Sequence, residues 1–221
     1  MIPSCAGASS AEGVPPRAVT LHAIHVDAVR RRNPAALEAL MPGRMEKACR
    51  FRFERDRLLC LGAGFLLLEA LGPETAALCC GENGKPFLPG GPAFNLSHSG
   101  EWCVLAVGEA CIGADIEQLD ERHLGIASMV YTPGELAWMG QDNPLERFYA
   151  LWTWKESVMK ATGLGMALEP ASFEVLPFTQ GKPVFLRDTL WYAQSGALDG
   201  YRYSVCTQYP MKGIQWVEHD D

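Results

Sequence analysis

Ile112-Gly113-Ala114-Asp115-Ile116-Glu117 and Trp152-Thr153-Trp154-Lys155-Glu156-Ser157-Val158-Met159-Lys160 are the two ends of the stretch from which the rest of the chain is read. The first reads as a strand, where side chains two apart share a face, so Asp115 and Glu117 point the same way. The second reads as a helix, where residues four apart share a face, so Glu156 and Lys160 line up. Three carboxylates and a lysine that converge suggest a hard divalent cation holding a phosphate-bearing substrate.

Working outward, Trp102 to Val107 is a near-continuous apolar strand, and a Gly108-Glu109 turn predicts Ile112–Glu117 as its hairpin partner. Thr132-Pro133-Gly134-Glu135 carries Thr as N-cap, Pro at the first helical position and Glu at the third. The next helix runs from Pro144 to Thr162 and ends at Gly163. Strands are predicted over Phe173–Leu176, Pro183–Leu186, Leu190–Gln194, Tyr201–Thr207 and Gln215–Val217.

Towards the N-terminus, Phe94-Asn95-Leu96-Ser97-His98-Ser99-Gly100 leads into the Trp102 strand. Arg44 to Leu71 is the longest helical pattern, basic in its first half and apolar from Leu58. Gly62 and Gly64 each cost about 1 kcal/mol relative to Ala, which predicts a close helix contact there. A short helix begins at Asn33-Pro34 and stops at Pro42-Gly43. Val19–Val26 and Thr75–Cys80 read as strands, the latter followed by a Glu82-Asn83-Gly84 turn. His22 and His25 fall on opposite faces of their strand and read as ordinary surface or core residues.

The order long helix, strand, Gly-Lys-Pro, strands occurs twice, around Gly84-Lys85-Pro86 and Gly181-Lys182-Pro183. The predicted fold class is therefore α+β, a pseudo-two-fold duplication of a helix plus an antiparallel sheet. Residues 1–18, rich in Ser, Ala, Gly and Pro, read as a mobile leader. The half-repeats are 19–111 and 112–221, the second carrying the acidic motif. Asp115 and Glu117 then lie near the seam of the halves, where pockets form. A chain holding both halves is expected to be a monomer.

The 221 residues are 48% hydrophobic, enough for a packed core, and a net charge of −7 gives no general reason to expect a nucleic-acid partner. The eight cysteines form no C-x-x-C pair, and Cys103 and Cys206 sit in apolar runs as expected buried thiols. No apolar run approaches the about 20 residues of a membrane span, and no secretory signal is visible. The expectation is a soluble, cytoplasmic protein in a reducing compartment.

The Phe94–Gly100 segment, Ile112–Glu117 and Trp152-x-x-Lys155-Glu156-Ser157-x-x-Lys160, in this order and spacing, resemble the 4′-phosphopantetheinyl transferases of the longer, surfactin-synthetase-activating type. The likeness extends from Pro42 through Gly84-Lys85-Pro86 to Gly163-Leu164-Gly165 and Phe173. It implies transfer of phosphopantetheine from coenzyme A to a serine of an acyl or peptidyl carrier protein, with release of adenosine 3′,5′-bisphosphate. Asp115, Glu117 and Glu156 correspond to the family's Mg2+-binding carboxylates, and Glu156 also to its candidate general base. Lys160 matches the lysine on the pyrophosphate, and Ser97 and His98 match residues on coenzyme A phosphates. His98 joins Glu156 and Lys160 in the expected catalytic set. Lys85 and Pro86 match the loop beside the nucleotide, and Arg44 and Lys47 the cations for the 3′-phosphate. Leu59 stands where the family has an arginine, and Lys155 reads as structural or at the rim. The exposed region between Asp120 and Gln141 is expected to touch the carrier. The alternative is a non-catalytic homologue that binds coenzyme A or carrier proteins. The commonest nucleotide scaffold is set aside, since G-x-x-x-x-G-K-[ST] is absent.

Overall fold

A computed structural model of the chain describes residues 14–81, 83–109, 111–176 and 183–220. Most of the expected leader, Glu82 of the predicted turn and Gly181-Lys182 of the second triplet lie outside the described residues. The first strand, β1 (Arg17–His25), ends where the His25 ring accepts from the Asp27 amide and caps α1 (Val26–Arg31). Two short helices follow, α2 (Ala35–Leu40) and α3 (Pro42–Cys49). Pro42 opens α3 instead of closing its predecessor, since a proline at the first turn loses no intrahelical hydrogen bond.

The single helix predicted over Arg44–Leu71 is broken. Residues 50–53 turn the chain, and α4 (Glu54–Leu71) starts from an extended Phe53. The packing explains the break. The Arg44 guanidinium donates to the Cys60 carbonyl at 3.1 Å, a pair that a straight helix would hold about 24 Å apart. The close contact predicted from Gly62 and Gly64 is present. A Cβ on Gly62 would lie 3.1 Å from Val29, and one on Gly64 2.6 Å from Arg44.

A 3-10 turn, Gly72–Ala77, replaces most of the strand predicted over Thr75–Cys80; only β2 (Cys79–Cys80) pairs, with β3 (Pro86–Phe87). A hairpin of β4 (Ala93–Ser99) and β5 (Trp102–Gly108) turns through Gly100 at φ 56°. The next strand, β6 (Ile112–Gln118), does not pair with β5 as predicted. Both edges of β5 are taken, by β1 (Ile24 opposite Cys103) and by β4 (Leu96 opposite Leu105). With no edge left, β6 enters a second sheet.

After α5 (Ala127–Val130) comes α6 (Pro133–Met139), opened by the predicted Thr132–Glu135 capping box. Next is α7 (Pro144–Thr162), which stops at Gly163 in the left-handed region as read. The remaining strands are β7 (Pro183–Leu186), β8 (Thr189–Leu198), β9 (Tyr201–Thr207) and β10 (Met211–Glu218). Phe173–Leu176 is not a strand. Its backbone is engaged by side chains: Lys155 Nζ donates to the Phe173 carbonyl and the Val175 amide to Glu135.

One sheet has the order β10-β1-β5-β4, the other β6-β9-β8-β7, and only β1–β10 is parallel. Strand alternation sorts the apolar residues into three layers. Ile24, Cys103 and Leu105 pack with Leu66 and Leu67 of α4 on one side. Val19, Leu21, Val104 and Ala106 meet Ile112, Ala114 and Ile116 between the sheets. Phe148, Leu151, Trp154 and Val158 of α7 cover the second sheet with Trp191 and Cys206. Cys103 and Cys206 are buried free thiols, as expected. The strand β10, from the far end of the 112–221 half, lies in the first sheet. Among the described residues, Glu54–Ala77 is long and apolar enough, by length and composition, to cross a membrane, and 61% of its most apolar 18-residue window is buried inside the protein, as in a core helix.

Candidate active site

With Ile112, Ala114 and Ile116 turned into the core between the sheets, Gly113, Asp115 and Glu117 must face the other way, towards α7. The approach is close. A Cβ on Gly113 would lie 1.9 Å from the Ser157 carbonyl oxygen and 2.4 Å from the Ala161 nitrogen, so only glycine admits α7 at this distance. On α7, Glu156 and Lys160 flank that contact. Lys160 Nζ is 2.6 Å from Asp115 Oδ1 and 3.0 Å from Ser97 Oγ.

Across from β6 stands β4. These strands are edges of different sheets and share no backbone ladder. Side chains join them instead. Asn95 Oδ1 accepts from the Ala114 amide at 2.8 Å and Ser99 Oγ from the Gln118 amide at 3.1 Å, with a longer 3.4 Å contact from Ile116 to Ser97. The two hydroxyls also donate at 2.8 Å, Ser97 to Asp115 Oδ1 and Ser99 to Glu117 Oε2.

Of these groups, Ser97, Ser99, Asp115, Glu117, Glu156 and Lys160 line one cleft of about 760 Å3. Its acidic wall is Asp115, Glu117 and Glu156, with Lys160 beside them. Its basic wall is Arg44, Lys47 and Arg55 from α3 and α4. Ser97, His98 and Pro86 line it as well, and Phe51, Leu59 and Cys60 add apolar surface. Leu59, at the position where an arginine was expected, is thus part of an apolar wall. Of the ten residues given a site role in the sequence, nine line the cleft and Lys85 does not. Its ammonium is turned to the carbonyls of Ile112 (2.8 Å), Lys160 (2.7 Å) and Ala161 (3.4 Å), which places it at the end of α7. Burial lowers its pKa to about 8.

The acidic wall is crowded and poorly solvated. Burial raises the pKa of Asp115, against the pull of Lys160 and Ser97. Burial and then the Asp115 charge raise Glu117 to about 7 and also raise Glu156. Burial opposes the charge on Lys160, yet Asp115, Glu156 and Glu117 together hold its pKa above the usual lysine value. With the ammonium at 2.6 Å, the proton shared by the Asp115–Lys160 pair belongs on the lysine. Burial and Lys160 lower His98.

Among the described residues, no three acidic, histidine or cysteine side chains form a ready-made metal cage. The donor set nevertheless fits a hard cation that completes its shell with water and substrate oxygens. Asp115 is 2% exposed, and its Oδ2 is buried with no hydrogen-bond partner among the described residues. Two more carboxylates nearby are held above their usual pKa by burial and then by the Asp115 charge, even with Lys160 beside them. On the opposite wall, Arg44 Nε is likewise buried without a partner, a donor suited to an anion.

Lys155 is structural. It is fully buried, 2.9 Å from Glu135, donates to the Pro170 carbonyl and lies over the Phe173 ring. Glu135 also accepts from the Thr132 and Val175 amides, so one buried pair ties α6, α7 and the loop after α7 together. Asn95 and Ser99 were missed in the sequence. Their signal was the Asn-x-Ser-x-Ser spacing, which puts three short polar side chains on one strand face.

A family model described as 4′-phosphopantetheinyl transferase superfamily matches residues 111–206, the segment from just before β6 to β9. A Bacillus subtilis 4′-phosphopantetheinyl transferase is 31% identical over 208 residues, covering 84% of this chain and 90% of the relative. The 4′-phosphopantetheinyl transferase Sfp of Bacillus subtilis strain 168 is 30% identical over 193 residues, covering 80% and 86%. A Thraustochytrium phosphopantetheinyl transferase is 35% identical over 195 residues, covering 72% and 66%. On matches of that extent the chain belongs to the 4′-phosphopantetheinyl transferase superfamily and is a transferase of that family.

Proposed function

We propose that the chain moves 4′-phosphopantetheine from coenzyme A to a serine of an acyl or peptidyl carrier protein, converting apo to holo carrier and releasing adenosine 3′,5′-bisphosphate. The observation that carries this reading is the pairing of walls. Arg44, Lys47 and Arg55 face the same cleft as Asp115, Glu117 and Glu156, with Lys160 beside the acids. A substrate with a terminal phosphate and a diphosphate needs both.

In this reading Arg44 and Lys47 hold the 3′-phosphate, Arg44 with its fork and its unpartnered Nε. His98, lowered by burial and by Lys160, is a neutral donor to a phosphate oxygen. Asp115, Glu117 and Glu156 are the residues that would hold Mg2+. When bound, that ion neutralises diphosphate oxygens and the charge that develops on the leaving phosphate. The carrier serine oxygen attacks the phosphorus bearing the pantetheine arm. A serine–phosphorus bond forms, the bond to the departing bisphosphate breaks, and the serine proton passes to Glu156 directly or through water. Lys160 offsets the charge released as the phosphoanhydride opens.

The same reading treats the fold as a pseudo-two-fold duplication within a monomer, with halves 19–111 and 112–221. Its support is the repeated order strand, long helix, strand, strand. In β1-α4-β4-β5 and in β6-α7-β8-β9 the first strand pairs antiparallel with the last. The test of function is incubation with fluorescent coenzyme A and one acyl and one peptidyl carrier, with and without Mg2+. Label on the carrier serine only when Mg2+ is present is the expected result. Binding of coenzyme A with no transfer to either carrier would overturn the reading in favour of a non-catalytic homologue.

A further inference from the structure

The seam between β4 and β6 is built from side chains at a spacing of two on both strands. Asn95, Ser97 and Ser99 face the amides of Ala114, Ile116 and Gln118. The Ala114, Ile116 and Gln118 amides on that edge therefore have side-chain acceptors in place of backbone ones. A slip of one residue would turn the acceptors away and put Ile116 where Asp115 stands.

The two serines differ in what else they hold. Ser97 Oγ contacts Asp115, Lys160 and the Ile116 amide, so its removal disturbs several groups together. Ser99 Oγ has two partners: it accepts from the Gln118 amide and donates to Glu117 Oε2. One hydroxyl thus ties the orientation of a carboxylate to the register of the strand that bears it. The chain beyond Ser99 has little freedom to move it. Gly100 turns at φ 56°, and a Cβ there would lie 2.3 Å from the Tyr201 hydroxyl.

We propose that Ser99 is a positioning residue whose hydroxyl holds the Glu117 carboxylate, within the Asn95–Ser97–Ser99 stitch, in the orientation needed to bind the divalent cation. This rests on the reading of Asp115, Glu117 and Glu156 as the residues that hold that cation. The Trp152 side chain gives Glu117 a second hydrogen bond, so removing the Ser99 hydroxyl takes away one of two supports. Loss of a supporting contact to a metal-binding carboxylate weakens affinity by about 10–100-fold.

The test titrates the full chain with Mn2+ in the presence of coenzyme A, reading free Mn2+ by electron paramagnetic resonance. Coenzyme A affinity without metal and the thermal transition are measured on the same samples. Ser99→Ala is expected to weaken Mn2+ binding about tenfold while leaving metal-free coenzyme A affinity within about twofold, and Ser99→Thr, which keeps the hydroxyl, to restore most of it. In a Glu117→Ala background, Ser99→Ala is expected to add nothing. Mn2+ affinity unchanged in Ser99→Ala would overturn the proposal. So would equal losses in Ser99→Ala and Ser99→Thr, or a full additional loss in the Glu117→Ala background, since each separates the effect from the hydroxyl's hold on Glu117. Failure of the wild-type chain to take up Mn2+ beside coenzyme A would instead overturn the cation reading and the proposal with it.

Discussion

The two long helices each cover one sheet and make close contact by opposite means. In α4 the glycines are on the helix, and Gly62 rests against Ile24 and Val29, with Cys103 behind them. In α7 the glycine is on the strand, and Gly113 lies under the backbone of Ser157 and Ala161. The difference decides where chemistry can sit. A helix that gives up its own side chains at the contact buries apolar strand residues, whereas a strand that gives up one side chain brings the helix backbone down beside Asp115 and Glu117. Glu156 and Lys160 are then within reach of the strand acids, and α4 contributes only its first turns to the cleft.

The sharpest way to break this comparison is to add a methyl group on each side. Gly113→Ala pushes against backbone that cannot rotate away. It should destabilise the protein by about 3 kcal/mol or more and remove transfer activity, read by chemical denaturation and carrier labelling. Gly62→Ala meets side-chain methyls at 3.1 and 3.2 Å that can shift, and gains about 1 kcal/mol of helix propensity. Its net effect should stay within about 1 kcal/mol. Equal costs at the two glycines would sink the comparison.

Next in size is the chemistry that α7 carries. Glu156→Gln should reduce transfer by about a hundredfold or more while coenzyme A binding stays within about tenfold. Near-normal turnover would remove Glu156 from its role, and activity indifferent to EDTA would count against the metal altogether. Smaller is the contrast between two first-half cations. Lys85→Met takes the ammonium away from the carbonyls of Ile112, Lys160 and Ala161, of which that of Lys160 keeps the Gly163 amide, and should cost about 1–3 kcal/mol of stability. Arg44→Ala should act chiefly on the KM for coenzyme A. A KM effect of Lys85→Met as large as that of Arg44→Ala would return Lys85 to the nucleotide.

The smallest effect is on pH. Folding raises Glu117 from its ordinary 4.5 to about 7, so the native state holds the extra proton between those values. The contribution of Glu117 to metal-free stability should therefore be fully present below about 4.5 and be lost as pH rises through about 7. Glu117→Gln should flatten that slope in thermal melts; an unchanged slope would mean that other groups set it.

Features with local signals were legible in the sequence. The Thr132–Glu135 capping box, the limits of α7 from Pro144 to Gly163, and β7 and β9 follow from residues adjacent to them. What depended on a partner was not. The hairpin predicted for β6 failed because β5 has no free edge, and the strand predicted over Phe173–Leu176 failed because Lys155 and Glu135 engage its backbone. The break between α3 and α4 likewise follows from bringing Arg44 to Cys60. In the cleft, the charges were legible as charges. The turning of Lys85 towards α7 and the hold of Ser99 on Glu117 were not, since both depend on which group stands opposite in space.

One pairing has a bearing on how the chain assembles. Within the first sheet β1 lies parallel to β10, Arg17 opposite Met211 and Ala23 opposite Glu218, and the His219 amide donates to the Ala23 carbonyl. During synthesis the outer edge of β1 stays open until nearly all of this sequence has been made. Pairing over such a separation is slow, and an unpaired strand edge is a template for another chain. The open edge of β1 is therefore an aggregation hazard until β10 has been made, and a block to β10 would leave both long helices in place beneath an open first sheet.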